Sequence, residues 1–263
     1  MSYLQDLSKH YFKFIHIGKC GGTYVNKVLN IDEYHDYERK GIIKGKYKKN
    51  IVGLNYQDSD FFIIWLRNPI RRFVSAFWYA YDVVSQDINE FENGNISTKN
   101  SLAPWNSYLK FTKGFAFSRE YDKLIVSFNN PNELAESLNS PNITTRKRAH
   151  KLMNHPEQHI NNSIGWYLQN GNFIKKYKNK IVFVGCLENI DNDLNKLGDI
   201  LNTKFKKISA QRNNMKNYSK FLSPLAIKNI KEFYKNTDYK TLKVLLEEGF
   251  ITKDTYDSYQ TYN

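Results

Sequence analysis

Phe61-Phe62-Ile63-Ile64-Trp65-Leu66-Arg67-Asn68-Pro69-Ile70-Arg71-Arg72-Phe73-Val74-Ser75-Ala76-Phe77 decides how the rest of the chain is read. It opens on an unbroken apolar run, the signature of a strand covered on both faces of a parallel sheet. Asn68 is a good helix N-cap, and Pro69 suits the first helical position, where its missing N–H is no loss. Beyond them Ile70, Phe73, Val74, Phe77 and Tyr81 recur with helical spacing and form one apolar stripe. Arg71, Ser75 and Arg72 fall on a separate polar edge, and Arg67 sits at the carboxyl end of the strand. A guanidinium at that point, with a hydroxyl one to two turns into the helix, grips a phosphate from two directions. Arg71 and Arg72, taken singly, read as surface solvation.

The same strand–turn–helix grammar occurs on either side. Phe12 to Ile17 reads as a strand, Gly18 to Thr23 as a turn and Tyr24 to Leu29 as a helix. Ile181 to Val184 reads as a strand, followed by Glu188-Asn189 and then Ile190, Leu194, Leu197 and Leu201 at helical spacing. Strands alternating with helices predict an α/β fold in three layers, a central, mainly parallel sheet flanked by helices. Ser223-Pro224 opens a further helix with Ile227, Ile230 and Tyr234 on one side. The stretch of about 93–172, punctuated by Pro104, Pro131, Pro141 and Pro156, reads as a helical and loop-rich region covering one side of the sheet. No repeat or linker interrupts the chain, so 1–263 reads as a single domain. Open α/β sheets take ligands at the carboxyl ends of their strands, which directs attention to the first two turns.

The first of those turns is His16-Ile17-Gly18-Lys19-Cys20-Gly21-Gly22-Thr23. Its glycines let backbone N–H groups converge on an anion at a helix N-terminus. Lys19 adds a mobile charge and Thr23 a hydroxyl. The order differs from the nucleotide-binding G-x-x-x-x-G-K-[ST] loop, because the lysine precedes the Gly-Gly pair. A kinase or NTPase therefore loses its main support, although it stays the alternative enzyme class.

Composition narrows the remaining classes. Among 263 residues, 39 Lys and Arg face 26 Asp and Glu, for a net charge of +13, and 15% are aromatic. That aromatic content argues against a largely disordered chain. Cys20 and Cys186 are too few for a disulfide framework, which predicts a reduced, cytoplasmic protein. No apolar run is long enough to span a bilayer, and Met1 to Lys9 lacks the apolar core of a signal peptide. The charge excess attracts anions without saying which: nucleic acid, nucleotide and acidic glycan are equally open. A nucleic-acid-binding module is the weakest of these, since the best basic residues stand singly at strand ends and not along one stripe. Lys44 to Lys49 and Lys175 to Lys178 read as solvated loops.

Taken together, the two turns resemble the sulfotransferase superfamily, most closely the carbohydrate branch that includes heparan sulfate 2-O-sulfotransferase-like enzymes. That branch carries a first loop of the type His-Ile-Pro-Lys-x-Gly-Gly-Thr and a second strand ending in Arg-[Asp/Asn]-Pro-[Ile/Val]-x-Arg-[Phe/Leu]-x-Ser. This chain has His16-Ile17-Gly18-Lys19-Cys20-Gly21-Gly22-Thr23 and Arg67-Asn68-Pro69-Ile70-Arg71-Arg72-Phe73-Val74-Ser75. It departs at Gly18, where the branch has proline, a change expected to loosen the loop without removing a ligand. The Val182 to Glu188 segment also resembles the late strand of these enzymes.

The resemblance implies a P-loop-like fold and transfer of a sulfuryl group from 3′-phosphoadenosine 5′-phosphosulfate, without a metal, to a hydroxyl of a glycan or related acceptor. Lys19, Cys20, Gly21, Gly22, Thr23 and Tyr24 would line the 5′-phosphosulfate, and Arg67 and Ser75 the 3′-phosphate. Lys19 would meet the bridging oxygen as charge grows there. Arg212 and Lys216, late in the chain, would close over the nucleotide. The acceptor hydroxyl needs a base. Relatives draw it from the stretch between the two motifs, which here singles out His35, with Glu33, Asp36 and Asp58 as rivals. His150, His155 and His159 lack the spacing of a metal set. His159 is the acceptor-contact candidate among them. An already acidic polysaccharide would suit the basic surplus, and neither nucleic acid nor a membrane span is expected.

Overall fold

The computed structural model describes residues 11–29, 60–92, 121, 123–155, 159–205 and 218–262. Strands β1 (Tyr11–Ile15), β2 (Asp60–Leu66) and β3 (Ile181–Cys186) form a parallel sheet in the order β1-β2-β3. The register pairs Phe14 with Ile63 and Trp65 with Gly185, with an irregularity between Phe62 and Ile63 on the β3 side. β1 ends at Ile15, two residues earlier than the apolar pattern suggests, because Ile17 donates its N–H back to the Ile15 carbonyl in the turn. β3 runs two residues further than expected, to Cys186.

Alternate side chains of the strands enter two cores, which is why β2 is apolar throughout. On one face Phe14, Ile63 and Trp65 meet Val25 and Leu29 of α1 (Gly22–Leu29) and Leu194 and Leu197 of a later helix (Ile190–Ile200). On the other, Ile15, Phe62, Ile64 and Leu66 meet the stripe Ile70, Phe73, Val74 and Phe77 of α2 (Pro69–Glu92). The same core takes Leu134 from α3 (Pro131–Ser137), Leu152 from α4 (Ile143–Met153), Ile164 from α5 (Ile164–Tyr167) and Phe173 from α6 (Asn172–Lys176). Within its described part, the region after residue 120 is thus helical and covers one side of the sheet. Lys175 and Lys176 are exposed as expected, but on α6 and not in a loop.

The later helix of the first face is α7 (Ile190–Ile200). α8 (Pro224–Tyr234) begins as its sequence predicts, with Ser223 Oγ accepting from the Ala226 N–H at 3.1 Å and proline in the first turn. A π-helical turn (Lys235–Tyr239) leads into α9 (Lys240–Glu247), and α10 (Lys253–Ser258) carries the chain back to the sheet edge. Among the described residues no helix is long and apolar enough to cross a membrane.

Candidate functional site

Three parallel neighbours send their following turns out at one edge of the sheet. These are Gly18–Gly21 after β1, Arg67-Asn68 after β2 and Leu187–Asn189 after β3. The first two are joined directly: Arg67 Nη1 donates to the Lys19 carbonyl at 3.1 Å. Lys19 has φ +68° and Gly21 +79°, so the turn passes twice through the left-handed region, once at a residue whose side chain disfavours it. The Arg67 bond is one contact that holds Lys19 there. Gly21 then starts α1, its carbonyl accepting from Tyr24 N–H (3.0 Å) and Val25 N–H (3.1 Å). Gly22 and Thr23 are the first two residues of α1, where helix geometry gives their N–H groups no intrahelical acceptor, as an anion site requires. Gly22 owes its identity to His16, whose ring atoms lie 1.9–2.7 Å from where a Cβ would be.

The lysine side chain turns toward α2. Its Nζ lies 3.0 Å from the centroid of the Tyr79 ring, a cation–π contact. Burial first, and then Arg72 and Arg67, push Lys19 down to about 7, with Asp82 pulling the other way. Burial raises the Cys20 thiol to about 12, so Cys20 is neutral and serves the turn through its backbone. Tyr79 explains how Ser75 joins the site. Arg71, Ser75 and Tyr79 are spaced by four and line up along one edge of α2, so the half-buried Ser75 stands one turn from the ring that carries Lys19. Tyr79 was not singled out by motif; its position four residues beyond Ser75 is the signal that reveals it.

Arg72 corrects an expectation. It is not a solvated surface residue but is fully buried, with Nη2 donating to the carbonyls of His159 (2.8 Å) and Asn162. Its Nε and Nη1 find no partner among the described residues. Asp238, equally buried in the π-helical turn, lies within its field and accepts from the Gly165 N–H at 2.8 Å. Burial raises the Asp238 carboxyl, and the Arg72 charge opposes that rise. Arg71, by contrast, is exposed as expected.

Asn68 caps α2 and does more. Its Oδ1 accepts from the N–H groups of Ile70 (2.9 Å) and Arg71 (3.2 Å), while Nδ2 donates to the carbonyls of Ser258 (3.2 Å) and Thr261 (2.8 Å). Its own N–H goes to Glu188 Oε1 at 3.1 Å, and Glu188 Oε2 accepts from Tyr259 at 2.8 Å. The segment after α10 is therefore fastened to the second turn. It brings Tyr262 into the field of Arg71 and Arg67, where partial burial raises its phenol and the two arginines oppose the rise.

Of the expected site residues, Lys19, Cys20, Gly21, Gly22, Thr23, Tyr24, Arg67 and Ser75 share this edge of the sheet. His35 with its rivals Glu33, Asp36 and Asp58, and the pair Arg212 and Lys216, lie outside the described residues. Gly18 is buried, and the space a side chain would need is filled by His159. His150 bonds the Leu138 carbonyl and His155 packs on the Tyr121 ring, and no His, Cys, Asp or Glu group among the described residues is placed to hold a metal. Comparison of the chain with protein-family models, with curated proteins and with solved structures finds no match.

Proposed function

We propose that this protein is a sulfotransferase that moves a sulfuryl group from 3′-phosphoadenosine 5′-phosphosulfate to a hydroxyl of a glycan or related acceptor. The observation that carries the reading is the Arg67–Lys19 hydrogen bond. It ties two strand-to-helix turns into one cationic edge, and the two motifs on those turns are the ones that resemble the superfamily. Arg72 and Arg67 both act to push Lys19 down, with only Asp82 opposing them, and an anionic ligand would relieve that repulsion. A donor with two separated anionic groups suits two separated anion sites.

In this reading the N–H groups of Gly22 and Thr23 hold the 5′-phosphate, and Arg67 and Ser75 hold the 3′-phosphate. The acceptor oxygen forms a bond to sulfur as the bond from sulfur to the 5′-phosphate oxygen breaks. Its electron pair leaves with that oxygen, which Lys19 meets. The demands are alignment and stabilisation of developing charge, as in phosphoryl transfer. Replacing Lys19 with Ala should then cut turnover by about two to three powers of ten.

Thermal unfolding with nucleotides tests the reading before any acceptor is known. At a hundredfold its dissociation constant, 3′-phosphoadenosine 5′-phosphate should add about 2.7 kcal/mol of stability. ADP, which has no 3′-phosphate, should add far less. Equal stabilisation by ADP, or none by the 3′-phosphorylated nucleotide, would turn the assignment toward a kinase or NTPase or away from nucleotides altogether.

A further inference from the structure

His159, the acceptor-contact candidate of the sequence, lies against the first turn. A Cβ on Gly18 would lie 2.3 Å from His159 Nδ1 and 2.6 Å from Cε1, so the imidazole sits directly against the main chain of the first turn. The Tyr167 hydroxyl closes on the same point, at 3.2 Å. On its other flank the His159 ring packs against Tyr79, centroids 5.5 Å apart, and Tyr79 is the ring that carries Lys19 Nζ. The main chain beneath is fixed by Arg72, which donates to the carbonyls of His159 and Asn162. An imidazole thus stands one aromatic ring away from Lys19, placed by three independent features: a missing side chain at Gly18, a platform at Tyr79 and a buried guanidinium.

Resting on the sulfuryl-transfer reading, we infer that His159 is the base that receives the acceptor hydroxyl, in place of His35. The glycine at position 18 then leaves the space that the His159 ring occupies beside the first turn. In the step itself, an imidazole nitrogen of His159 takes the hydroxyl proton as the acceptor oxygen bonds to sulfur. The sulfur–oxygen bond to the 5′-phosphate breaks and its electron pair stays on that phosphate beside Lys19. The products are the sulfate ester, 3′-phosphoadenosine 5′-phosphate and an imidazolium that later yields its proton to water. Among the described residues, the charged and titratable groups near the ring include Lys19, Arg72, Tyr79 and Tyr167. The acceptor accordingly approaches from the side of residues 159–167.

His159→Asn tests this, because Arg72 is bound to the backbone of residue 159 and keeps its partner in the variant. The probe reaction is desulfation of 3′-phosphoadenosine 5′-phosphosulfate with water as the acceptor. The variant should bind 3′-phosphoadenosine 5′-phosphate as the wild type does, lose about a hundredfold or more in rate, and lose the acid limb of the pH–rate profile. Gly18→Ala should give a similar loss by displacing the ring, and the double variant should be no slower than either single one. A readout that needs no turnover is the imidazole titration of His159 followed by NMR, with His159→Asn as the assignment. Saturation with the sulfated donor should raise its midpoint by about half a pH unit or more, through the anionic group placed beside it. An unmoved titration, or a variant at full rate with its acid limb intact, overturns the role of His159 and leaves the donor reading standing. Failure of the wild type to bind the 3′-phosphorylated nucleotide sinks both.

Discussion

Under the proposed function, the depressed lysine makes nucleotide binding a proton-linked event with a predictable direction. In the free protein Lys19 holds its proton only below about pH 7, because it is buried and flanked by Arg72 and Arg67. A phosphate or phosphosulfate beside Nζ supplies the missing counter-charge and restores the protonated form. Binding above pH 7 must therefore take up a proton, and affinity must fall as pH rises. With a midpoint near 7, the charged fraction drops from about one half at pH 7 to about one hundredth at pH 9, so the dissociation constant should rise about fiftyfold. Titration calorimetry of 3′-phosphoadenosine 5′-phosphate in buffers of different ionisation enthalpy reads both quantities. Proton uptake should climb from about one half per site at pH 7 to about 0.9 at pH 8. Lys19→Met should bind more weakly with a flat profile over this range. A flat wild-type profile, or a slope that survives in Lys19→Met, would refute the linkage and with it the contact between Lys19 and the anion.

Stability follows the same lysine in the opposite sense: unfolded Lys titrates near pH 10.4, so the cost of burying its charge is full below pH 7 and fades as pH rises toward that value. Lys19→Met should melt above the wild type at pH 6, with the gap closing by pH 10. Asn68→Asp keeps the cap but replaces a two-fold donor with a carboxylate facing the Ser258 and Thr261 carbonyls, at a cost of about 2–4 kcal/mol by urea unfolding. Arg72→Met strips two carbonyls of their donor and leaves Asp238 without a neighbouring charge; about 3–5 kcal/mol should be lost, and a loss within half a kcal/mol would contradict the buried arrangement. At Gly185 a Cβ would meet the Trp65 ring at 2.7 Å, so Gly185→Ala should lower stability by about 1–3 kcal/mol, visible in near-ultraviolet circular dichroism as a disturbed tryptophan signal.

The parallel sheet was legible because β2 and β3 are nearly continuous apolar runs, and the β2–α2 turn because Asn68-Pro69 is local chemistry that needs no tertiary partner. The helix stripe Ile70, Phe73, Val74 and Phe77 is buried as its spacing foretold. Arg72 was misread for a physical reason: helical periodicity places it on the polar edge, and only the backbone of residues 159–162, some 90 positions away, turns that edge inward. Tyr79 was missed, and His159 was named as an acceptor contact but not as a neighbour of the first turn, for the same cause: their meeting is made by folding. Asn68 could be named as a cap from sequence, but not as the anchor of residues 258–261, because nothing local signals a partner that distant.

That anchor bears on when the protein becomes competent during its synthesis. Asn68 is bonded across 190 and 193 residues. At elongation rates of about 5–20 residues per second, its partners leave the ribosome roughly 10–40 seconds after it does. Until then the second turn has its helix cap but two unanswered amide protons. The two bonds from Asn68 to the Ser258 and Thr261 carbonyls can therefore form only after translation has passed Thr261.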